Sequence, residues 1–177
     1  LPAVSRIIAA NDLVTERNIS EPTVIRVMSV RKSLKVERGM TPMYSGEIKV
    51  FENERRLGVL APVDEKEDVK YNTIFYGRGR GIHSTEPFYG MLLRDMLLKY
   101  YPVSRENLRN GMLCVAGKDG YRSAISYSEL FNRSDQQEFL LVRTEPGEDG
   151  GLFRVFAAAD FFSDRAIKSV SEIYLLR

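Results

Sequence analysis

One cysteine, Cys114, and one histidine, His83, occur in 177 residues. A single thiol excludes an intrachain disulfide and every multi-cysteine zinc or iron–sulfur site, and with only one imidazole beside it a protein-built transition-metal centre would have to rest on carboxylates. Long apolar runs are also lacking. The longest, Met91 to Leu98, is interrupted by Arg94 and Asp95 and falls short of the roughly 18–20 residues that a membrane-spanning helix needs. A soluble chain without a membrane span is therefore expected. Charge of one sign is missing too: 26 Lys and Arg stand against 24 Asp and Glu, a formal charge of +2, which gives no field for bulk nucleic-acid binding.

What remains is enough for a core. Apolar residues make up 44% of the chain and aromatics 10%, against 28% charged, which suits one domain with a structured extension. The sequence begins at Leu1 rather than Met, from which removal of an upstream segment is expected, by a signal peptidase or by artificial truncation, the first of which would place the protein outside the cytoplasm.

Along the chain, Val4, Ile7 and Ile8 after Pro2 predict a short helix within Leu1 to Asn11. Val24, Ile25, Val27, Met28 and Val30 predict one or two strands over 23–36. After a break from Gly39 to Gly46, Glu47 to Phe51 alternates, Glu52 to Arg55 is turn material and Arg56 to Val63 is apolar again, the pattern of a hairpin. Asp64 to Lys70, with Asp64, Glu65, Glu67 and Asp68 among lysines, reads as a solvated loop. Tyr71 to Tyr76 predicts a strand. Ser84-Thr85-Glu86-Pro87 supplies a hydroxyl, an acid and a proline before Phe88, Leu92 and Met96 at i, i+4 and i+8, and so predicts a helix over 87–100, stopped by Pro102. This helix carries more apolar surface than one core-facing stripe needs, with Leu98 as the candidate for a contact with another chain. Met112 to Val115 and Tyr121 to Tyr127 flank the turn Gly117-Lys118-Asp119-Gly120 and predict a second hairpin, with Tyr121 and Tyr127 as sheet-packing aromatics. Strands are expected at Glu138 to Arg143, Leu152 to Ala157 and Ile167 to Leu176.

The least ordinary stretch is Gly77-Arg78-Gly79-Arg80-Gly81-Ile82-His83. Glycines let backbone amides turn toward an anion, guanidiniums pair bidentately with phosphate, and a helix starting near Phe88 would point its positive end at the same place. The alternation matches neither the P-loop nor the dinucleotide fingerprint, and as a plain connector it would leave both arginines solvated. Ser84 beside His83 has no identifiable acid to orient a nucleophile–base pair, so hydrolase chemistry is not expected.

Four segments then follow in order between Phe88 and Arg177, about half the chain. They are Phe88-Tyr89-Gly90-Met91-Leu92-Leu93-Arg94-Asp95-Met96-Leu97, the turn Asp119-Gly120-Tyr121 with the small helix Ser128-Glu129-Leu130, the strand segment Leu152-Phe153-Arg154-Val155-Phe156, and the closing Ile167-Lys168-Ser169-Val170-Ser171-Glu172-Ile173. This series resembles the oxidoreductase molybdopterin-binding domain of the sulfite oxidase family, with its W-x-G-V-x-L-x-x-L-L, D-G-Y, L-R-L-V-V-P and V-K-x-V-x-x-I patterns. The resemblance implies an α+β fold, a mostly antiparallel bent β-structure with short flanking helices, spanning 40–177 and carrying residues 1–39 as an N-terminal extension packed on it.

The sequence also departs from that family. The molybdenum-ligating cysteine lies upstream of the segment matching Phe88, where this chain has no cysteine, and Cys114 falls where the family has an ordinary core strand. The proline ending the family's L-R-L-V-V-P strand is replaced by Phe156-Ala157-Ala158-Ala159-Asp160. The expectation is a degenerate, non-catalytic member with no assigned catalytic or metal residue and no cofactor as purified, binding a small anionic or pterin-like ligand, or a redox protein partner. Gly77, Arg78, Gly79, Arg80, Gly81 and His83 are its candidate cofactor-binding residues. The alternative is a molybdopterin-dependent oxidoreductase of the same family.

Overall fold

The computed structural model describes residues 5–8, 19–25, 27, 45–60, 69–77, 81–133, 135, 137–144, 152–160 and 163–177. Strands dominate. In chain order they are β1 (Arg6–Ile7), β2 (Ile19–Ser20), β3 (Ile48–Glu52), β4 (Arg55–Leu60), β5 (Val69–Tyr71), β6 (Phe75–Gly77), β7 (Gly81–Ser84) and β8 (Phe88–Leu92). Two short helices follow, α1 (Leu93–Leu97) and α2 (Arg105–Asn110), then β9 (Met112–Gly117), β10 (Arg122–Ser126), α3 (Tyr127–Phe131), β11 (Phe139–Arg143), β12 (Phe153–Ala157), a 3-10 turn at Ser163–Arg165 and β13 (Val170–Leu176).

A five-stranded sheet runs in the order β10-β9-β13-β3-β4, antiparallel except for the parallel pair β13 and β3. A four-stranded antiparallel sheet runs β12-β11-β8-β5. Alternation along the strands explains the core between them. Ile48 and Val50 on β3, Leu113 and Val115 on β9, and Ile173 and Leu175 on β13 share one buried cluster with Phe139 and Leu141 on β11, Val155 on β12, and Leu93, Leu97 and Leu130 from the helices. The opposite face of the four-stranded sheet holds a second cluster, in which Leu140, Val142 and Phe156 meet Phe75, Phe88 and Leu92. The β6–β7 ribbon belongs to that side.

Buried tyrosines pin the chain after α1 to the larger sheet. The Tyr101 hydroxyl, wholly buried, donates to Phe51 O at 2.5 Å and lies 3.2 Å from Ile173 O, so one phenol spans the parallel strands β3 and β13. Tyr127 donates in turn to Tyr101 O at 2.7 Å, and Tyr100 to Val59 O at 2.9 Å. Ser104 caps α2 by accepting from Asn107 N at 3.0 Å.

Several sequence expectations hold, among them the mixed α and β content, the β3–β4 and β9–β10 hairpins, α3 and β11. Others change. The helix predicted over 87–100 opens as strand β8, and only Leu93–Leu97 is helical. Phe88 and Leu92 satisfy the strand period through Gly90 as well as the helix period, and Gly90 decides between them. A Cβ there would stand 2.7 Å from Leu141 O, so the missing side chain is what lets β8 lie against β11. Ser84 is likewise no helix cap: its hydroxyl accepts from Glu86 N at 3.1 Å in a turn that leads into a strand.

The strand predicted over Tyr71 to Tyr76 is broken at Asn72-Thr73-Ile74, with β5 in the sheet and β6 in the ribbon. The three C-terminal strands, expected in one β-structure, divide between the two sheets. β11 and β12 pair with each other and β13 joins the larger sheet, the link being the bridge in which Val155 and Ile167 exchange hydrogen bonds of 2.9 and 3.0 Å. In place of the expected N-terminal helix, Arg6–Ile7 pairs with Ile19–Ser20. Val24, Ile25 and Val27 are exposed and outside any strand, because strand propensity is realised only against a partner. Most of 1–39, residues 40–44 of the Gly39 to Gly46 break and residues 61–68 lie outside the described residues.

Candidate functional site

The candidate region is built on the β6–β7 ribbon. Phe75 pairs with Ser84, Tyr76 with Ile82 and Gly77 with Gly81, with an irregularity after Phe75. Gly81 has φ +77°, a left-handed conformation that suits glycine at the ribbon's return. Gly77 is buried beneath the imidazole of His83, which is itself exposed to solvent. His83 also sits 5.6 Å from the Phe75 ring, and Phe75 continues into an aromatic group with Phe88 at 5.5 Å and Phe156 at 6.0 Å. Phe88 and Phe156 stack at 4.2 Å. The ribbon is thus anchored by rings on the outer face of the four-stranded sheet.

Beside it opens a cleft of about 700 Å³, lined by Asn72, Thr73, Ile74, Tyr76, Ile82, Thr85 and Asp160. That volume is in the range of small-molecule pockets, and the lining combines apolar walls from Ile74, Ile82 and Tyr76 with amide and hydroxyl groups from Asn72, Thr73 and Thr85. Among the described lining residues, the one carboxylate is already engaged. Arg165 binds Asp160 through Nε at 2.6 Å and Nη2 at 2.5 Å, and binds Glu129 through Nη2 at 2.6 Å, with its guanidinium 5.4 Å from the Phe139 ring. Burial of Arg165 works against its charge, but the two carboxylates outweigh burial and hold the guanidinium above its ordinary range. Asp160 therefore contributes a shaped, compensated wall rather than a free anion.

Of the candidate cofactor-binding residues, Gly77, Gly81 and His83 are brought together on this ribbon. Arg78, Gly79 and Arg80, the three residues between the paired glycines, lie outside the described residues. The helix end expected to face them is absent, since Phe88 begins a strand. Asp119 and Gly120 make the expected turn, with Tyr121 N donating to Asp119 Oδ1 at 2.9 Å and Gly120 at φ +84°. Tyr127 is buried in the core as expected, but Tyr121 is exposed and donates to Asp164 O at 2.6 Å instead of packing on the sheet. The residues of the cleft wall escaped the sequence reading. Asn72-Thr73 interrupting an apolar run was the available signal, whereas Asp160 comes from the far side of the chain.

No family model matches this chain, and no curated protein matches it.

A molybdenum centre of the kind implied by the resemblance needs a thiolate at its cofactor cleft, and the residues present do not fit it. Cys114 lies on β9 of the other sheet, opposite Tyr174 and Ala124, and is half-buried. Burial pushes its thiol up, against the opposing pull of Arg122, which favours the protonated and non-ligating form. Among the described residues no three His, Cys, Asp or Glu side chains group as metal ligands.

Proposed function

We propose that this chain is a binding module, a degenerate relative of the molybdopterin-binding domains, whose cleft beside the β6–β7 ribbon takes a planar, polar heterocycle with an anionic tail, of the pterin phosphate kind. The observation that carries the reading is the lining of the cleft. Tyr76, Ile74 and Ile82 offer apolar surface to a ring, Asn72, Thr73 and Thr85 offer neutral donors and acceptors to its edge, and the Asp160 charge is compensated by Arg165. In this reading Arg78 and Arg80, joined directly to the paired Gly77 and Gly81, receive the phosphate, while His83, which packs over Gly77 and beside Phe75, is outside the cleft lining. The module binds without transforming its ligand.

Thermal unfolding with a pterin monophosphate, the same pterin without phosphate, and inorganic phosphate tests this. Ligand at about 100 times its dissociation constant stabilises by roughly 2.7 kcal/mol. The pterin monophosphate is expected to raise Tm most. Arg78→Ala with Arg80→Ala should reduce its shift to that of the unphosphorylated pterin, and Ile82→Asp should abolish both. Absence of any shift with all three compounds overturns the proposal.

A further inference from the structure

α2 and β9 are joined by Asn110 and Gly111, the one Asn-Gly pair in the sequence. Such a pair is chemically fragile, because glycine has no Cβ to shield its amide nitrogen from the side-chain carbonyl carbon of the asparagine before it. Glycine is nonetheless required here. A Cβ on residue 111 would stand 2.6 Å from Asn107 O and 2.8 Å from Tyr127 Cβ, so the close approach of α2 and α3 admits no larger residue. Its φ of −69° is one that any residue adopts, which leaves the packing as the reason.

The fold engages both backbone groups of Gly111. Its N–H donates to Asn107 O at 2.8 Å, and its carbonyl accepts from Tyr127 N at 2.9 Å. While the first bond lasts, Asn110 keeps a helical backbone and the Gly111 nitrogen is committed to α2, although the Asn110 side chain is exposed. That bond is weakly guarded. α2 has only six residues, and its start depends on Ser104, which accepts from Asn107 N at 3.0 Å. Asn107 itself is buried with its Oδ1 lacking a hydrogen-bond partner among the described residues, a cost that opening of the turn relieves.

We propose that Asn110 is a site of spontaneous deamidation, gated by local opening of the last turn of α2. When the bond between Gly111 and Asn107 breaks, the Gly111 nitrogen attacks Asn110 Cγ. A C–N bond forms there, the Cγ–Nδ2 bond breaks, and the Gly111 proton leaves with Nδ2 as ammonia, closing a succinimide ring. Water then opens the ring at one of its two carbonyl carbons. Opening at Cγ gives aspartate, and opening at the main-chain carbonyl gives isoaspartate, whose backbone runs through Cβ and Cγ. The extra backbone carbon displaces Gly111 from its two partners, and in either product the new carboxylate lies at the negative end of α2. The modification therefore loosens α2 from α3.

Peptide mapping by mass spectrometry, on the full chain aged in mildly alkaline buffer with and without concentrated urea, is the test. Aspartate and isoaspartate at position 110 are expected in urea, forming at least about tenfold more slowly in the folded chain, where only the opened fraction reacts. Asn110→Gln should abolish the product. Ser104→Ala removes the cap of α2 and should raise the folded-chain rate about fivefold without changing the rate in urea. Val142→Ala truncates the second core cluster, on the other sheet, and should leave the folded-chain rate unchanged, because the opening is local. An unmodified Asn110 in urea, equal rates in the two conditions, or a folded-chain rate that Ser104→Ala raises no more than Val142→Ala does would overturn the proposal.

Discussion

His83 lies so close over Gly77 that a Cβ on residue 77 would stand 1.9 Å from the imidazole Nε2. Because the ring is exposed, it can swing aside, and Gly77→Ala is expected to cost no more than about 1 kcal/mol while displacing His83 from Phe75. Gly90→Ala meets the fixed carbonyl of Leu141 at 2.7 Å and should cost about 3 kcal/mol, by forcing β8 from β11. Denaturant midpoints rank the two variants, and the proton shifts of the single imidazole report its displacement in Gly77→Ala. Equal costs would contradict the distinction between a movable ring and a fixed backbone.

That contrast also bears on how much of the molecule could be read in advance. Hairpins closed by local turn chemistry, such as β9–β10 around Asp119-Gly120, were legible because the residues that make the turn are adjacent. Phe88 to Leu92 was not, because its apolar spacing fits two periods and the decision lies in Leu141, far along the chain. The candidate site divides in the same way. The glycines and His83 stand out as a local motif, but the cleft beside their ribbon is lined by other residues, and one of these, Asp160 with its partner Arg165, reaches it only through the fold. The division of β11, β12 and β13 between two sheets was likewise a matter of long-range pairing that strand propensity does not encode.

The Tyr101 hydroxyl should be the most costly phenolic oxygen to remove, because it is buried and holds β3 beside β13. Tyr101→Phe is expected to lose about 1–2 kcal/mol. Burial holds this phenol well above its ordinary value of 10.0. Below pH 10 both folded and unfolded chains keep the proton and the stabilisation is complete; above it the unfolded chain ionises while the folded chain does not, and stability falls. Urea midpoints of the wild type should therefore decline as pH rises beyond 10, and Tyr101→Phe should decline less steeply. Tyr174, raised by burial and by its bond to Glu172, accounts for slope that remains.

Arg165 connects the cleft to α3 through Asp160 and Glu129. Arg165→Met leaves two carboxylates facing one another at a partly solvated site and is expected to cost about 2 kcal/mol, less than a fully buried pair would. Adding Asp160→Asn and Glu129→Gln removes the uncompensated charge and should restore part of the loss. Chemical denaturation of the single and triple variants provides the measurement. No recovery in the triple variant would mean that the contact of Arg165 with Phe139, rather than charge compensation, sets the cost.

Leu97 and Leu98 adjoin one another at the end of α1 but differ in surroundings. Leu97 is wholly buried in the main core, and Leu98, just beyond the helix, is 46% exposed. Replacing a buried leucine with a carboxylate strands a charge in apolar surroundings, so Leu97→Glu should prevent folding or cost more than about 4 kcal/mol. Leu98→Glu leaves the charge in water and should change stability by about 0.5 kcal/mol or less. If Leu98 contacts another chain, sedimentation of Leu98→Glu would show weaker self-association than the wild type with unchanged folding. Self-association that Leu98→Glu leaves unchanged, or a wild type that stays monomeric, would reject that contact.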